Sequence, residues 1–214
     1  MEPILISPSD TPIEKLDKWA VMGIAAPMYV SATLSGDETQ KLQERLTVDL
    51  IEQKIPLEGY KIKRGVKDPA HITLAYHSDF AQLDDYADII GAHYLHKKDQ
   101  EIPIEVMGYG CDKYCVAALV KLGNDIKYYP SDKKLHLTMM LNGKPPVYSN
   151  ELLKRLSEPH RILTEDERLV MFNQPIEYKC SIKFNQKIKS KKIDIKENNP
   201  RKPTQQQNKD QPTN

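Results

Sequence analysis

Cysteine is scarce in this sequence, which contains only Cys111, Cys115 and Cys180 among 214 residues. An odd number without Cys-x-x-Cys spacing argues against a disulfide framework and against a structural zinc site. Long apolar runs are lacking too. The most apolar stretch, 21–34, is broken by Gly23 and Pro27 and is too short to cross a bilayer. No contact with a membrane is therefore expected.

A secretion signal is also lacking, because the opening Met1-Glu2-Pro3 has no basic segment ahead of an apolar core. An intracellular location, in the cytoplasm or the nucleus, is expected. The sequence has no phosphate-binding loop of the form Gly-x-x-x-x-Gly-Lys-Ser/Thr and shows no cluster of metal ligands. We therefore predict neither a cofactor nor a metal ion.

Neither sign of charge dominates the whole chain, whose 31 basic and 30 acidic residues leave a formal net charge of +1. The two signs are unevenly placed. From Lys187 onward, eight basic and three acidic residues give +5, so residues 1–186 carry 23 basic and 27 acidic residues, or −4. A mildly acidic body argues against a large duplex-binding surface and is compatible with a small cleft that holds one phosphate.

Two stretches far apart in the chain share one pattern. Residues 69–76 read Pro-Ala-His-Ile-Thr-Leu-Ala-Tyr, and residues 134–141 read Lys-Leu-His-Leu-Thr-Met-Met-Leu. Both alternate in the manner of a half-buried strand. Since residues two apart in a strand point to the same face, each strand presents a histidine beside a threonine. The opposite faces are apolar, and comprise Ile72, Leu74 and Tyr76 in the first strand and Leu135, Leu137, Met139 and Leu141 in the second.

Four candidate catalytic residues follow from this pattern: His71, Thr73, His136 and Thr138. Bringing the two strands together places two imidazoles and two hydroxyls around one small cleft. That set suits a phosphate group, because hydroxyls donate hydrogen bonds to its oxygens and two histidines serve as acid and base. One His-x-Thr is usually part of an ordinary strand, but a second with the same apolar spacing favours a site.

The two His-hydrophobic-Thr-hydrophobic tetrads resemble the signature of the 2H phosphoesterase superfamily. Within it, the chain is most similar to the cyclic phosphodiesterase domain of fungal and plant tRNA ligases, because Pro-x-x-Ser-Asn at 146–150 precedes a helix as it does there. The resemblance covers about residues 28–186. It implies an α+β fold that is bilobal and pseudo-symmetric, with antiparallel sheets, a central cleft and helices outside.

The same resemblance implies hydrolysis of RNA 2′,3′-cyclic phosphate ends to a 2′-phosphate, in tRNA splicing or RNA repair. One neutral imidazole deprotonates water and one imidazolium protonates the leaving ribose oxygen, a scheme that requires no metal. Thr73 and Thr138 hold the phosphate oxygens. The pattern makes the two histidines near-equivalent and leaves open which is the acid. Tyr128 and Tyr129 are candidates to stack on a nucleobase, with packing an equal alternative.

RNA with a cyclic phosphate end, such as a tRNA exon half, is the partner that follows, and a monomer is expected. The ligase and kinase modules of tRNA ligases do not fit within 214 residues and are expected on other chains. The same four residues would also serve other 2H enzymes, such as a 2′-5′ oligonucleotide phosphodiesterase or a 3′-end exonuclease. A non-catalytic RNA-end-binding module is the remaining alternative.

The chain divides into three predicted parts: an N-terminal helical extension at 1–27, the phosphoesterase domain at 28–186 and a disordered basic tail at 187–214. The tail is either solvated or in loose electrostatic contact with RNA backbone. Strands are predicted at 28–34, 60–64, 101–109, 113–122 and 176–184, besides the two His-x-Thr stretches. Helices covering one face of the sheet are predicted at 38–53, 80–93 and 149–157, capped by Asp37, Asp79 and Ser149.

Overall fold

The computed structural model describes residues 27–80, 83–129 and 133–187, so the predicted extension and tail lie outside it except at their boundary residues. The strands are β1 Pro27–Leu34, β2 Ile62–Lys63, β3 His71–Tyr76, β4 Glu101–Asp112, β5 Cys115–Leu122, β6 His136–Leu141 and β7 Arg168–Lys187. The helices are α1 Gly36–Glu52, α2 Leu83–His93 and α3 Tyr148–Leu156. The α+β class predicted from the sequence is confirmed.

These strands form one antiparallel sheet in the order β2-β6-β5-β4-β7-β1-β3. Strand β7 is much longer than the predicted 176–184 and pairs with β4 along one side and with β1 along the other. It therefore joins the part of the sheet that holds β3 to the part that holds β6. One continuous sheet stands where separate sheets were expected.

Helix α1 begins at Gly36 because the Ser35 side chain accepts a hydrogen bond from the Glu38 backbone N–H at 3.1 Å. The predicted cap, Asp37, lies inside the first turn instead. Leu42 and Leu46 recur at helical spacing and are fully buried against the sheet. The helix thus follows the strand that leads into the core and covers one face of it.

Alternate residues of β5 belong to two different apolar clusters. Val116 and Ala118 join the large core beneath α1 and α2, whereas Cys115 and Ala117 pack with α3 in a smaller cluster. Because successive strand residues point to opposite faces, α3 lies across the sheet from the other two helices. The prediction that all helices cover one face is therefore wrong.

Each His-x-Thr strand contains a β-bulge one residue after its threonine. The ladder skips Leu74 in β3 and Met139 in β6. A bulge adds a residue and resets the alternation of faces. As a result Tyr76 lines a cavity together with the histidine and threonine of its strand, and Leu141 packs under α3. The prediction that these two residues oppose the threonines is wrong for this reason.

The two His-x-Thr strands are close in space although they are far apart in the sheet order. Strand β3 ends the order, and β6 is separated from it by β5, β4, β7 and β1, yet β3 and β6 contact each other. The sheet must therefore curve strongly across its width. This curvature places the two histidine-bearing faces opposite one another.

A buried carboxylate fixes α3 to the turn between β4 and β5. Asp112, only 4% exposed, accepts hydrogen bonds from the backbone N–H groups of Tyr114 and Cys115 at 2.8 and 2.9 Å. Its other oxygen accepts from the Tyr148 hydroxyl at 2.6 Å and from Arg155 at 2.8 Å. Every oxygen of the carboxylate is thus used to hold the helix in place.

Replacing Asp112 with alanine should lower the free energy of unfolding by about 3–5 kcal/mol, because it removes the buried acceptor of hydrogen bonds from two backbone N–H groups, the Tyr148 hydroxyl and Arg155. Arg155 keeps Glu167 as its other partner. Urea denaturation followed by circular dichroism measures the loss. The matched control is Asp125→Ala, which removes a solvent-exposed carboxylate paired with Lys97 and should change stability little. Equal effects of the two substitutions would contradict the anchoring role of Asp112.

Candidate functional site

A cavity of about 410 Å³ lies between β3 and β6. Its walls include every site residue named from the sequence, which are His71, Thr73, His136, Thr138, Tyr128 and Tyr129. Polar and charged side chains that the sequence did not single out complete the lining, chiefly Arg64, Ser78, Asp79, Lys133 and Asn150. Both histidine–threonine pairs therefore line the same cavity, and positively charged side chains lie near them.

The first histidine is positioned by its neighbours on strand β1 and helix α1. The Ala70 carbonyl accepts from the Leu34 N–H at 3.0 Å, and the Ala70 N–H donates to the Thr39 hydroxyl at 3.2 Å. The Tyr29 ring stacks on His71 with a centroid distance of 5.4 Å and an interplanar angle of 27°. Both the backbone and the ring plane of His71 are therefore restrained.

Contacts on both ring nitrogens hold the second histidine. His136 Nδ1 lies 2.8 Å from the Lys134 carbonyl, which only accepts, so Nδ1 carries a proton. His136 Nε2 lies 2.7 Å from Ser149 Oγ. Ser149 Oγ in turn lies 2.8 Å from the Thr138 hydroxyl and 2.6 Å from the Pro146 carbonyl. A histidine and threonine of β6 are thus linked through one hydroxyl of α3.

Ser149 does not have the helix-capping role that the sequence predicts. It was predicted to cap a helix, but α3 begins at Tyr148, and Val147 in the capping position makes no side-chain hydrogen bond. Ser149 is fully buried within the first turn and faces β6. The Pro-x-x-Ser-Asn stretch was the signal that this segment mattered, but its contact with His136 depends on how the helix packs.

Arg64 is the main charged residue that sequence reasoning missed. Its side chain is 14% exposed, pairs with Asp68 and lines the cavity. Burial lowers the pKa of His71, and the Arg64 guanidinium lowers it further, with the Asp68 carboxylate opposing. The neutral form of His71 is therefore favoured, which suits a group that accepts a proton.

Burial also lowers the pKa of His136. The hydrogen bond to the Lys134 carbonyl acts in the opposite direction, because it stabilises the protonated ring, and the charge of Lys133 lowers the pKa again. A phosphate bound between the two rings would offset these effects, since a negative charge nearby favours both imidazolium forms. The electrostatics of the cavity thus suit an anionic ligand.

Aromatic side chains form the end of the cavity beyond β3. Tyr128 packs against the core, and the Tyr129 ring lies 5.9 Å from Phe80 and 6.0 Å from His93. Both tyrosines therefore pack as well as line the cavity. Tyr76 joins them because of the bulge in β3. This end offers flat apolar surface next to the charged residues.

The chemistry of the described residues centres on the histidines. Within the ranges described, no group of three or more His, Cys, Asp or Glu side chains is arranged to hold a metal ion. The cysteines are free and buried, and burial raises the pKa of Cys111 and Cys180 to about 12. Such thiols are inert as nucleophiles. None of the helices in that part of the chain combines the length and apolarity of a membrane span.

No protein-family model and no curated protein sequence matches the chain. Its fold, however, is similar to that of a fungal RNA kinase whose crystal structure is known, with a TM-score of 0.52 and 12% sequence identity. The match covers 75% of this chain and 46% of the kinase chain, so this chain spans about half the length of that structure. At so low an identity, the similarity shows that the two chains share a fold and shows nothing further.

Replacing Arg64 with glutamine should raise the pKa of His71, because it removes a positive charge that disfavours the imidazolium and leaves Asp68, which favours it. In wild type His71 should titrate below about 6.5, the ordinary value for histidine. An NMR titration of the histidine ring protons measures both. The control is Lys63→Gln on the exposed strand β2. A pKa of His71 that is equal in wild type and Arg64→Gln would contradict the assignment.

Proposed function

We propose that the chain hydrolyses RNA 2′,3′-cyclic phosphate ends, with His71 and His136 as the acid–base pair and Thr73 and Thr138 as phosphate ligands. The observation that carries the proposal is the single cavity lined by all four residues. The resemblance of the two tetrads to those of 2H phosphoesterases supports it. The bulges at matching positions of β3 and β6 support a pseudo-symmetric origin of the two halves.

The proposed reaction uses groups of the chain itself. A water oxygen bonds to phosphorus as one neutral imidazole removes its proton, and the bond from phosphorus to one ribose oxygen breaks as the imidazolium protonates that oxygen. The hydroxyls of Thr73 and Thr138 donate to the oxygens on which charge accumulates. Arg64 and Lys133 in the cavity wall offset the negative charge of the diester.

RNA is the proposed substrate class, in tRNA splicing or RNA repair. The fold is shared with a protein named as an RNA kinase, which supports a role for this fold in proteins that act on RNA. Tyr128 and Tyr129 are proposed to stack on the terminal base, for which their place in the cavity wall is suitable. Ligase or kinase modules on other chains are the proposed partners of the protein, which we propose acts as a monomer.

Purified protein should open adenosine 2′,3′-cyclic phosphate in excess EDTA, because the acid–base scheme requires no metal. His71→Ala and His136→Ala should each lower turnover at least about a hundredfold, the usual contribution of a positioned acid or base. Thr73→Ala and Thr138→Ala should cost less, since each removes one donor among several. Chromatography of the products measures these rates.

The control for these variants is His96→Ala, whose exposed side chain does not line the cavity and whose loss should leave turnover unchanged. A 2′-5′ dinucleotide and an RNA with a 3′-hydroxyl end, assayed in parallel, distinguish the other 2H activities. Near-normal turnover by a folded His71→Ala or His136→Ala protein would contradict the proposed mechanism. Binding of cyclic-phosphate RNA without any turnover would favour a non-catalytic module.

The product is expected to be the 2′-phosphate with a free 3′-hydroxyl, the sense of the tRNA-ligase domain that the sequence resembles. This outcome requires the 3′ oxygen to lie beside the acid histidine and the attacking water to lie beside the base. Separation of the adenosine 2′- and 3′-monophosphates after complete hydrolysis decides the point. A product that is mainly the 3′-phosphate would contradict the proposed similarity to the tRNA-ligase domain, but it would still support hydrolysis of a cyclic phosphate.

A further inference from the structure

We propose that Ser149 is a positioning residue that keeps a proton on His136 Nε2, so that His136 is the acid of the pair and His71 is the base. This inference rests on the proposed function for its catalytic meaning, but its structural content can be measured without turnover. It resolves a choice that the near-equivalence of the two tetrads in the sequence leaves open.

The number of protons available around Ser149 decides the protonation state of His136. Three neighbours lie within hydrogen-bond distance of its oxygen: His136 Nε2, the Thr138 hydroxyl and the Pro146 carbonyl. The single Ser149 proton must go to the Pro146 carbonyl, because a carbonyl cannot donate. The other two contacts are then hydrogen bonds only if His136 Nε2 and Thr138 donate to Ser149. Every contact is satisfied when His136 is an imidazolium.

The neutral forms of His136 leave one contact unsatisfied. With the proton on Nδ1, as the Lys134 carbonyl requires, Nε2 is bare and competes with the Pro146 carbonyl for the one Ser149 proton. With the proton on Nε2 instead, Nδ1 faces the Lys134 carbonyl as two acceptors. A buried polar group without its partner is costly, so these contacts favour the doubly protonated ring and oppose the effect of burial, which lowers the pKa of His136.

Ser149 acts through His136 rather than on the substrate, because it is fully buried and does not line the cavity. Thr138 remains free to serve a phosphate. If its hydroxyl turns toward the ligand, Ser149 still accepts from His136 and donates to Pro146, so nothing is left unpaired. The leaving ribose oxygen then competes with Ser149 for the Nε2 proton.

His71 has a different environment, which favours the opposite role. The Tyr29 ring stacks on it, and the positive charge of Arg64 disfavours its imidazolium form more than the Asp68 carboxylate favours it. A base that must be neutral before the reaction is suited to such surroundings. The two halves of the site are therefore alike in their tetrads and unlike in the groups that decide protonation.

Several charged groups share the cavity with His136 and must be considered in its titration. Lys133 and Lys134 precede its own strand, and Arg64 follows β2. His71 begins β3, and Asp79, which pairs with Lys133 at 2.7 Å, follows that strand. Helix α3 contributes only the neutral Asn150 to the described lining. None of these groups is altered by substitution of Ser149.

The test is a nitrogen-15 NMR titration of histidine-labelled full-length protein in four forms: wild type, Ser149→Ala, Ser149→Thr and, as control, Thr47→Ala. Thr47 bears a helical hydroxyl bonded to Gln43, outside the cavity. The pKa of His136 should fall by about one unit in Ser149→Ala, since an acceptor of a charged donor is lost. Ser149→Thr keeps the hydroxyl and should restore the wild-type pKa. His71 should titrate alike in all four.

The pH dependence of cyclic phosphate turnover supplies a second measurement. Because the acid must be protonated, activity falls as the pH rises through its pKa, and this limb should move to lower pH in Ser149→Ala. The loss of kcat near neutral pH should be about tenfold, the change in protonation that one pKa unit gives, with KM unchanged. Thr47→Ala should keep the wild-type profile.

The outcomes separate this inference from the proposed function. An unchanged His136 pKa in Ser149→Ala, or an equal fall in Ser149→Thr, overturns the role of Ser149 while turnover by wild type still supports cyclic phosphate hydrolysis. If the pKa of His136 changes as expected but the wild-type protein shows no turnover, the role of Ser149 is supported and the proposed function is rejected. If Ser149→Ala does not fold, the nitrogen-15 titration of the wild-type protein decides. Neutral His136 with its proton on Nε2 would contradict the hydrogen bonds from which the role of Ser149 is inferred.

Discussion

The site depends on a one-residue bulge in each histidine-bearing strand. The bulge residues, Leu74 and Met139, turn their carbonyls toward segments outside the strand. The Leu74 carbonyl accepts from the Tyr129 N–H at 2.6 Å, and the Met139 carbonyl accepts from the Arg64 N–H at 2.9 Å. Each bulge residue thus binds a cavity-lining segment through its carbonyl, and the bulge redirects the residues that follow. The aromatic end and the cationic wall have the same kind of backbone origin.

The curvature of the sheet and the anchoring of α3 supply the remaining constraints. Contact between β3 and β6 closes the cavity, and the buried Asp112 carboxylate holds the helix that carries Ser149. The first histidine is held instead by the Tyr29 ring and, through Ala70, by Leu34 of β1 and Thr39 of α1. The two tetrads are thus supported by two different sets of contacts, which is why the two histidines need not behave alike.

The sequence predicted the strands, the helices and all six candidate site residues in the cavity wall, because tetrads and periodicity are local signals. It missed Tyr29, Arg64 and Ser149, whose roles depend on which strands pair and where α3 packs. It also predicted the wrong face of the strand for Tyr76 and Leu141, because the alternation of apolar residues does not show where a bulge lies. The errors therefore concern tertiary pairing and register, whereas the four residues of the two tetrads do line one cavity.

If the protein opens a cyclic phosphate as proposed, the asymmetry between the histidines bears on which ribose oxygen leaves. Attack on phosphorus in line with the leaving oxygen requires water and ribose on opposite sides of the phosphate. With His136 as donor and His71 as base, the leaving oxygen lies on the β6 side and water on the β3 side. The terminal base must then reach the aromatic end, near Tyr76 and Tyr129, from a sugar held beside β6. In this proposed mechanism only the orientation of the ribose remains free, so stacking of the base, and not the choice of histidine, would select which ribose oxygen is released.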